Sequence, residues 1–158
     1  MGTQQILLIV LSVIIVGAAI AVGIQMFNSQ AYSANKSALA ADAQSFATQV
    51  VQYYKTPTSQ GGAGKPTGAM LTTDIGKYIG WVGANSDSTS TEISTESGNY
   101  KLAASTATTV TILGLGKELR GGVRPAVRTI VTLPEGTIAA ELIDTKKTYD
   151  TLDPTDFD

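Results

Sequence analysis

The chain has no cysteine and no histidine among its 158 residues. Without cysteine there is no disulfide, no thiol nucleophile and no thiolate metal site. Without histidine, serine-type triads, most zinc sites and the usual general base near neutral pH are excluded. Charge is scarce as well: Asp, Glu, Lys and Arg make up 15% of the residues and the net charge is −2. A pI near 5.0 provides no global basic field to draw nucleic acid. No charged side chain precedes Lys36, and no proline precedes Pro57.

What fills the uncharged start is an apolar run, ILLIVLSVIIVGAAIAVGIQMF, over residues 6–27. As a helix it spans roughly 33 Å at about 1.5 Å per residue, enough to cross a bilayer's hydrocarbon core. Only Ser12 and Gln25 interrupt it with polar side chains. The run lacks the basic n-region of a removable signal peptide and exceeds the usual length of an h-region. Gly17 and Gly23 lie inside it. Each costs about 1 kcal/mol of helix stability relative to alanine, and each permits close helix packing. Such a segment needs lipid or copies of itself around it. Gln5, Ile9, Val13, Val16, Gly17, Ile20 and Gly23 are therefore the expected assembly core.

The helix is expected to continue to about residue 54. Residues 28–54 hold no Pro or Gly and are rich in Ala and Gln. Leu39, Ala43, Phe46, Val50 and Tyr53 follow a 4-3-4-3 spacing that puts them on one face, the face expected to pack on a sheet. Lys36, Gln44, Thr48, Gln52 and Lys55 fall opposite. Pro57 and the Gly-rich stretch of residues 56–68 end the helix in a surface loop. Residues 74–83, DIGKYIGWVG, read as a short turn of helix or an extended plug, with Tyr78 and Trp81 as core or inter-subunit anchors. Residues 85–91 read as a polar loop.

After Glu92 the pattern turns to strands. Residues 100–104 follow a turn at Ser97-Gly98-Asn99, residues 108–115 are β-branched and alternating, and residues 127–133 and 137–143 flank the hairpin-length connection Pro134-Glu135-Gly136. Three or four such strands imply an antiparallel meander packed on the amphipathic half of the helix, and an acidic tail from Asp144 closes the chain. The expected fold class is α+β. The expected division is a hydrophobic assembly or membrane helix over residues 1–28 and a globular head over residues 29–158.

An uncharged start followed directly by ILLIVLSVIIVGAAIAVGI, the stretch ADAQSFATQVVQYY and a meander behind a Gly-rich loop together resemble a type IV pilin. Many bacterial pilins carry a glutamate at the fifth mature position, whereas this chain has Gln4 and Gln5, so the resemblance is to a divergent bacterial or archaeal branch. No short basic leader precedes the run, and Met1 is either the first mature residue or the true start. The resemblance implies a structural subunit of an extracellular filament for adhesion, motility or surface attachment. Its partners would be copies of itself, with the inner membrane and an assembly machinery before polymerisation, and no nucleic acid. No cofactor, metal or catalysis is implied. The alternative is a monomeric, membrane-anchored extracytoplasmic β-domain with a binding role.

Other candidate chemistry is weak. Gly61-Gly62-Ala63-Gly64-Lys65 suggests a phosphate loop, but Ser59 stands where the first Gly belongs and Pro66 where Ser or Thr would hold magnesium. Asp150, Asp153, Asp156 and Asp158 offer oxygen ligands without the spacing of a calcium loop, and a solvated tail is expected. Asn35-Lys36-Ser37 is a glycosylation sequon, and the Ser/Thr-rich residues 86–95 are candidates for O-glycans. Arg120, Arg124 and Arg128 form a small basic group, expected in subunit contacts or a solvated loop.

Overall fold

A computed structural model of the chain describes residues 2–81 and 91–157. The polar loop expected at residues 85–91 lies outside them except for Thr91, and so does the first half of the Ser/Thr-rich stretch 86–95 proposed for O-glycans. The α+β class is observed: one long helix packs on an antiparallel sheet. Helix α1 runs unbroken over Gly2–Lys55, 54 residues, or roughly 80 Å of rise. It passes through the boundary expected at residue 28 without a break; what changes there is burial. Residues 2–28 are exposed, and Tyr32 is the first buried side chain of the helix.

Among the described residues, five strands lie in the order β1 to β5, each antiparallel to the next. They are β1 (Glu92–Ser94), β2 (Gly98–Ser105), β3 (Thr109–Gly116), β4 (Arg124–Thr132) and β5 (Thr137–Thr145). Gly98 and Asn99, expected in a turn, already belong to β2. Strand β1 is one more than the three or four expected. Between α1 and the sheet, residues 74–83 resolve as a helix rather than an extended plug as far as they are described: α2 covers Thr72–Tyr78.

Period-2 alternation divides the sheet's side chains between two faces. Tyr100, Val110, Ile112, Val127 and Val131 face α1, where they meet Leu39, Ala43, Ala47, Val50 and Tyr53. Phe46 is half-buried on this face and sets its ring edge-on to Trp81 and to Tyr100, with centroids 5.1 Å apart in each pair. Trp81 is 2% exposed, and Tyr78 packs on Tyr53 with ring centroids 5.0 Å apart. Leu39 is fully buried between helix and sheet. Leu39→Ala is expected to cost about 2–5 kcal/mol, the range for a large-to-small change in a core that relaxes only in part. A chemical denaturation midpoint equal to that of the unaltered chain would show that this contact does not hold the helix on the sheet.

The other face is covered as well, which corrects the expectation of a solvated tail. Two short 3₁₀ turns, η1 at Tyr149–Thr151 and η2 at Pro154–Phe157, fold the C-terminus back on the sheet. Leu152 and Phe157 are buried there against Leu113, Leu115 and Ala126. Arg128 is likewise not part of a loop. It lies within β4, stacks 5.3 Å from the Phe157 ring centroid, donates to Pro154 O at 2.8 Å and pairs with Glu141 at 2.9 Å.

The Gly-rich loop has a structural task. Ala63 N, Lys65 N and Gly64 N donate to the carbonyls of Tyr53, Tyr54 and Thr56, each at 2.9 Å. A helix end leaves its last carbonyls without internal partners, and this loop supplies them. A Cβ on Gly62 would lie 2.2 Å from Thr56 O, so the close approach requires glycine there.

Candidate functional site

The most conspicuous surface is the rod, residues 2–28 of α1. Ile9 is 63% exposed, Val13 65%, Val16 57% and Ile20 59%. Gln5 is exposed among them, and a Cβ built on Gly17 or Gly23 would meet nothing within 4 Å. Ser12 turns its hydroxyl back to the Ile9 carbonyl at 2.8 Å, so this polar group is satisfied inside the helix and suits apolar surroundings. By length and composition the helix can cross a membrane, and among the described residues nothing covers the apolar stretch.

Where the rod enters the head, a collar of polar contacts holds it. Lys36 pairs with Asp144 of β5 at 3.0 Å. Arg120, in the β3–β4 hairpin, lies over the Tyr32 ring at 4.8 Å and donates to Ser29 Oγ at 3.4 Å. Asn35 Nδ2 donates to Ser97 O at 2.7 Å. This is the atom that a glycan on the Asn35 sequon would occupy, and it sits in mid-helix against the β1–β2 turn. About two turns further on, the Asp42 carboxylate accepts hydrogen bonds from the hydroxyls of Ser97 and Tyr100, the latter at 3.2 Å. Burial pushes the Tyr100 hydroxyl up from its ordinary value, and the Asp42 charge adds to that. Together these contacts fix the direction in which the rod leaves the head.

The collar titrates. The Asp144 carboxyl is held below its ordinary value of 3.8, first by the nearby Tyr32 hydroxyl, which stops short of hydrogen-bond geometry, and then by Lys36 at 3.0 Å. The Tyr32 hydroxyl is pushed up to about 12, by burial first and then by Asp144. A carboxyl lowered by folding contributes stability above its unfolded value and loses it as pH falls through the folded one. A tyrosine raised by folding contributes below its unfolded value and loses it as pH rises toward the folded one. The collar is therefore strongest between about pH 5 and 9. The thermal midpoint is expected to fall below about pH 4, with Asp144→Asn flattening part of that acid slope. An unchanged slope in that variant would mean that Asp144 contributes nothing to it.

Two surfaces flank the collar. A groove along α1 is lined by Ala31, Ala34, Ala38, Asp42, Glu96 and Glu118. On the other side, a cleft of about 220 Å³ is lined in part by Lys117, Leu119, Arg124, Lys146 and Lys147. Arg124 thus lies at the strand end beside this cleft, apart from Arg128, and Arg120 lies against α1.

The remaining sequence candidates resolve into local structure. The amides a phosphate loop would present are already bonded, those of Gly61 and Gly62 to the Thr58 and Pro57 carbonyls and those of Ala63, Gly64 and Lys65 to carbonyls at the end of α1 and Thr56 just after it. Asp153 caps its own turn through Thr155, and Asp156 accepts from the Asp153 amide at 2.8 Å and pairs with Lys147. Asp158 lies outside the described residues. Among the described residues, no group of three or more Asp and Glu side chains is placed to hold a metal ion.

The architecture defines a class: an α+β protein whose long N-terminal helix is half apolar rod and half spine of an antiparallel sheet. Comparison with protein-family models, with curated proteins and with solved structures found no match to the chain.

Proposed function

We propose that this chain is a type IV pilin-like structural subunit, non-catalytic, held in the membrane by its rod before assembly and covered by other copies of itself afterwards. The observation that carries this reading is the length of continuous apolar helix, residues 6–27, that the head leaves bare while closing its own core on both faces of the sheet. An apolar rod of this length has two favourable surroundings, hydrocarbon and other apolar helices. The half-buried spine and the collar supply what such a subunit needs in addition, a fixed angle between rod and head. A heterologous contact repeated along an axis gives an open helical polymer, and the rod offers different sides to different neighbours. Adhesion, motility or surface attachment would follow from the filament as a whole.

The test is negative-stain imaging of material sheared from the surface of cells that make the protein, with gold-labelled antibody against the head. Thin labelled filaments are expected. Recovery of the protein only as detergent-bound monomers, with no labelled filament, would overturn the reading in favour of a membrane-anchored binding domain.

A further inference from the structure

We propose that the end of the head nearest the rod is a foot that rests on an anionic bilayer surface while the rod is membrane-inserted, with Leu119 entering the interface and Arg124 and Lys146 facing lipid phosphates. This inference rests on the reading that residues 6–27 span the bilayer before assembly.

The level of the foot is set by contact with α1. The β3–β4 hairpin leaves the sheet at Gly116 and returns at Arg124, and Gly121 and Gly122, with φ of +61° and +81°, bend its tip. Arg120 ties the tip to Ser29 and Tyr32 of α1. Ser29 lies two residues beyond Phe27, the end of the apolar run, a rise of about 3 Å. A helix that buries residues 6–27 in hydrocarbon therefore brings the hairpin tip to headgroup level. Leu119, beside Arg120, is 53% exposed. An outward leucine at the rim of a cleft lined by basic side chains suits the boundary between headgroups and acyl chains.

The charge agrees. The cleft beside Leu119 is lined by Lys117, Arg124, Lys146 and Lys147 and by no acidic side chain. Lys147 is paired with Asp156, whereas Arg124 and Lys146 have no ion-pair partner among the described residues. Of the acids at this end, Asp144 is paired with Lys36, whereas the exposed Glu118, next to Leu119 in the hairpin, and Glu96 line the groove along α1 rather than the cleft. In a chain of net charge −2, this leaves the basic cleft beside the rod. Juxtamembrane basic side chains are attracted to anionic lipid and screened by salt.

The absence of cysteine makes single-site labelling clean. Full-length protein carrying Leu119→Cys, Val13→Cys or Glu135→Cys, each labelled with a nitrobenzoxadiazole dye, would be reconstituted in phosphatidylcholine vesicles with and without phosphatidylglycerol. Glu135 lies in the β4–β5 turn, at the other end of the sheet. Spin-labelled lipid is expected to quench the label at 13 in both vesicles, the label at 119 chiefly when phosphatidylglycerol is present, and the label at 135 in neither. Adding Arg124→Glu and Lys146→Glu should lower the docked-to-free ratio at 119 by roughly fivefold or more per charge, and high salt should lower it without any further substitution. Quenching at 13 but not at 119 would overturn the foot and leave the spanning rod intact. No quenching at 13 would overturn the spanning rod and the foot with it. Shielding at 119 only in polymerised protein would name a second copy as the occupant and also overturn the proposal.

Discussion

Val13→Asp is expected to abolish filaments while leaving the head folded. Val13 sits near the middle of the rod, 65% exposed in the single chain, and lies outside the core formed by the described residues of the head. Its substitution should therefore leave the core around Leu39, Phe46 and Trp81 undisturbed. In a bundle of apolar helices the same carboxylate would have no counter-charge within reach, and an unpaired charge in such surroundings costs several kcal/mol per subunit. The cost recurs in every copy, so even a moderate value per subunit is decisive for a polymer. Membrane insertion should be weakened less, since a single acid at the centre of a spanning helix costs about 2.5–3.5 kcal/mol on insertion scales and some twenty apolar neighbours outweigh it. The measurement is filament yield beside the circular dichroism and melting of the purified protein. Normal filament yield would rule out a bundled core built on this helix.

How much could be read from the sequence depends on the range of the interactions involved. The rod and its continuation were legible because both signals are local: no charge before Lys36, and a 4-3-4-3 stripe from Leu39 to Tyr53. Strands β3 to β5 were legible from runs containing β-branched residues, and β2 from the turn signal at Ser97-Gly98-Asn99 before it. Strand β1 was not, because three residues, Glu92–Ser94, are too few to display a period and form a strand only by pairing with β2. The tail was misread for a related reason. Leu152 and Phe157 are single apolar residues among aspartates, with no periodicity, and their burial depends on a sheet face formed by Leu113, Leu115 and Ala126.

The collar was the least legible part. Its contacts join Ser29 to Arg120 and Lys36 to Asp144, partners 91 and 108 positions apart. Arg120, Arg124 and Arg128 looked like one basic group by spacing alone. The register separates them: Arg128 pairs with Glu141 beneath the folded-back tail, Arg124 lies at the strand end beside the cleft, and Arg120 turns onto the helix. Arg124 and Arg128 share a face of β4 but lie four residues, roughly 13 Å, apart along it, and the hairpin carries Arg120 back onto the helix.

Deleting residues 1–28 is expected to convert the protein into a soluble monomer that keeps its fold. The two halves of α1 differ in their partners. Every residue from 2 to 28 is exposed, whereas Tyr32, Leu39, Ala43, Ala47, Val50, Tyr53 and Tyr54 are buried by the sheet, the loops or the collar. The deletion removes the exposed aliphatics from Ile6 to Phe27, the surface that would otherwise demand detergent. It leaves the Arg120 contact to Ser29 and the Lys36–Asp144 pair in place. The shortened helix would begin at serine, a residue able to cap the free amides of a first turn. Its remaining length is held by tertiary packing rather than by intrinsic propensity, so loss of the rod should leave the head's unfolding cooperative. The checks are size-exclusion chromatography with light scattering, for a monomer, and a urea melt followed by Trp81 fluorescence, for a single transition. A truncated chain that aggregates without detergent and unfolds with no cooperative step would show that the rod belongs to the fold, and that the division into rod and head is wrong.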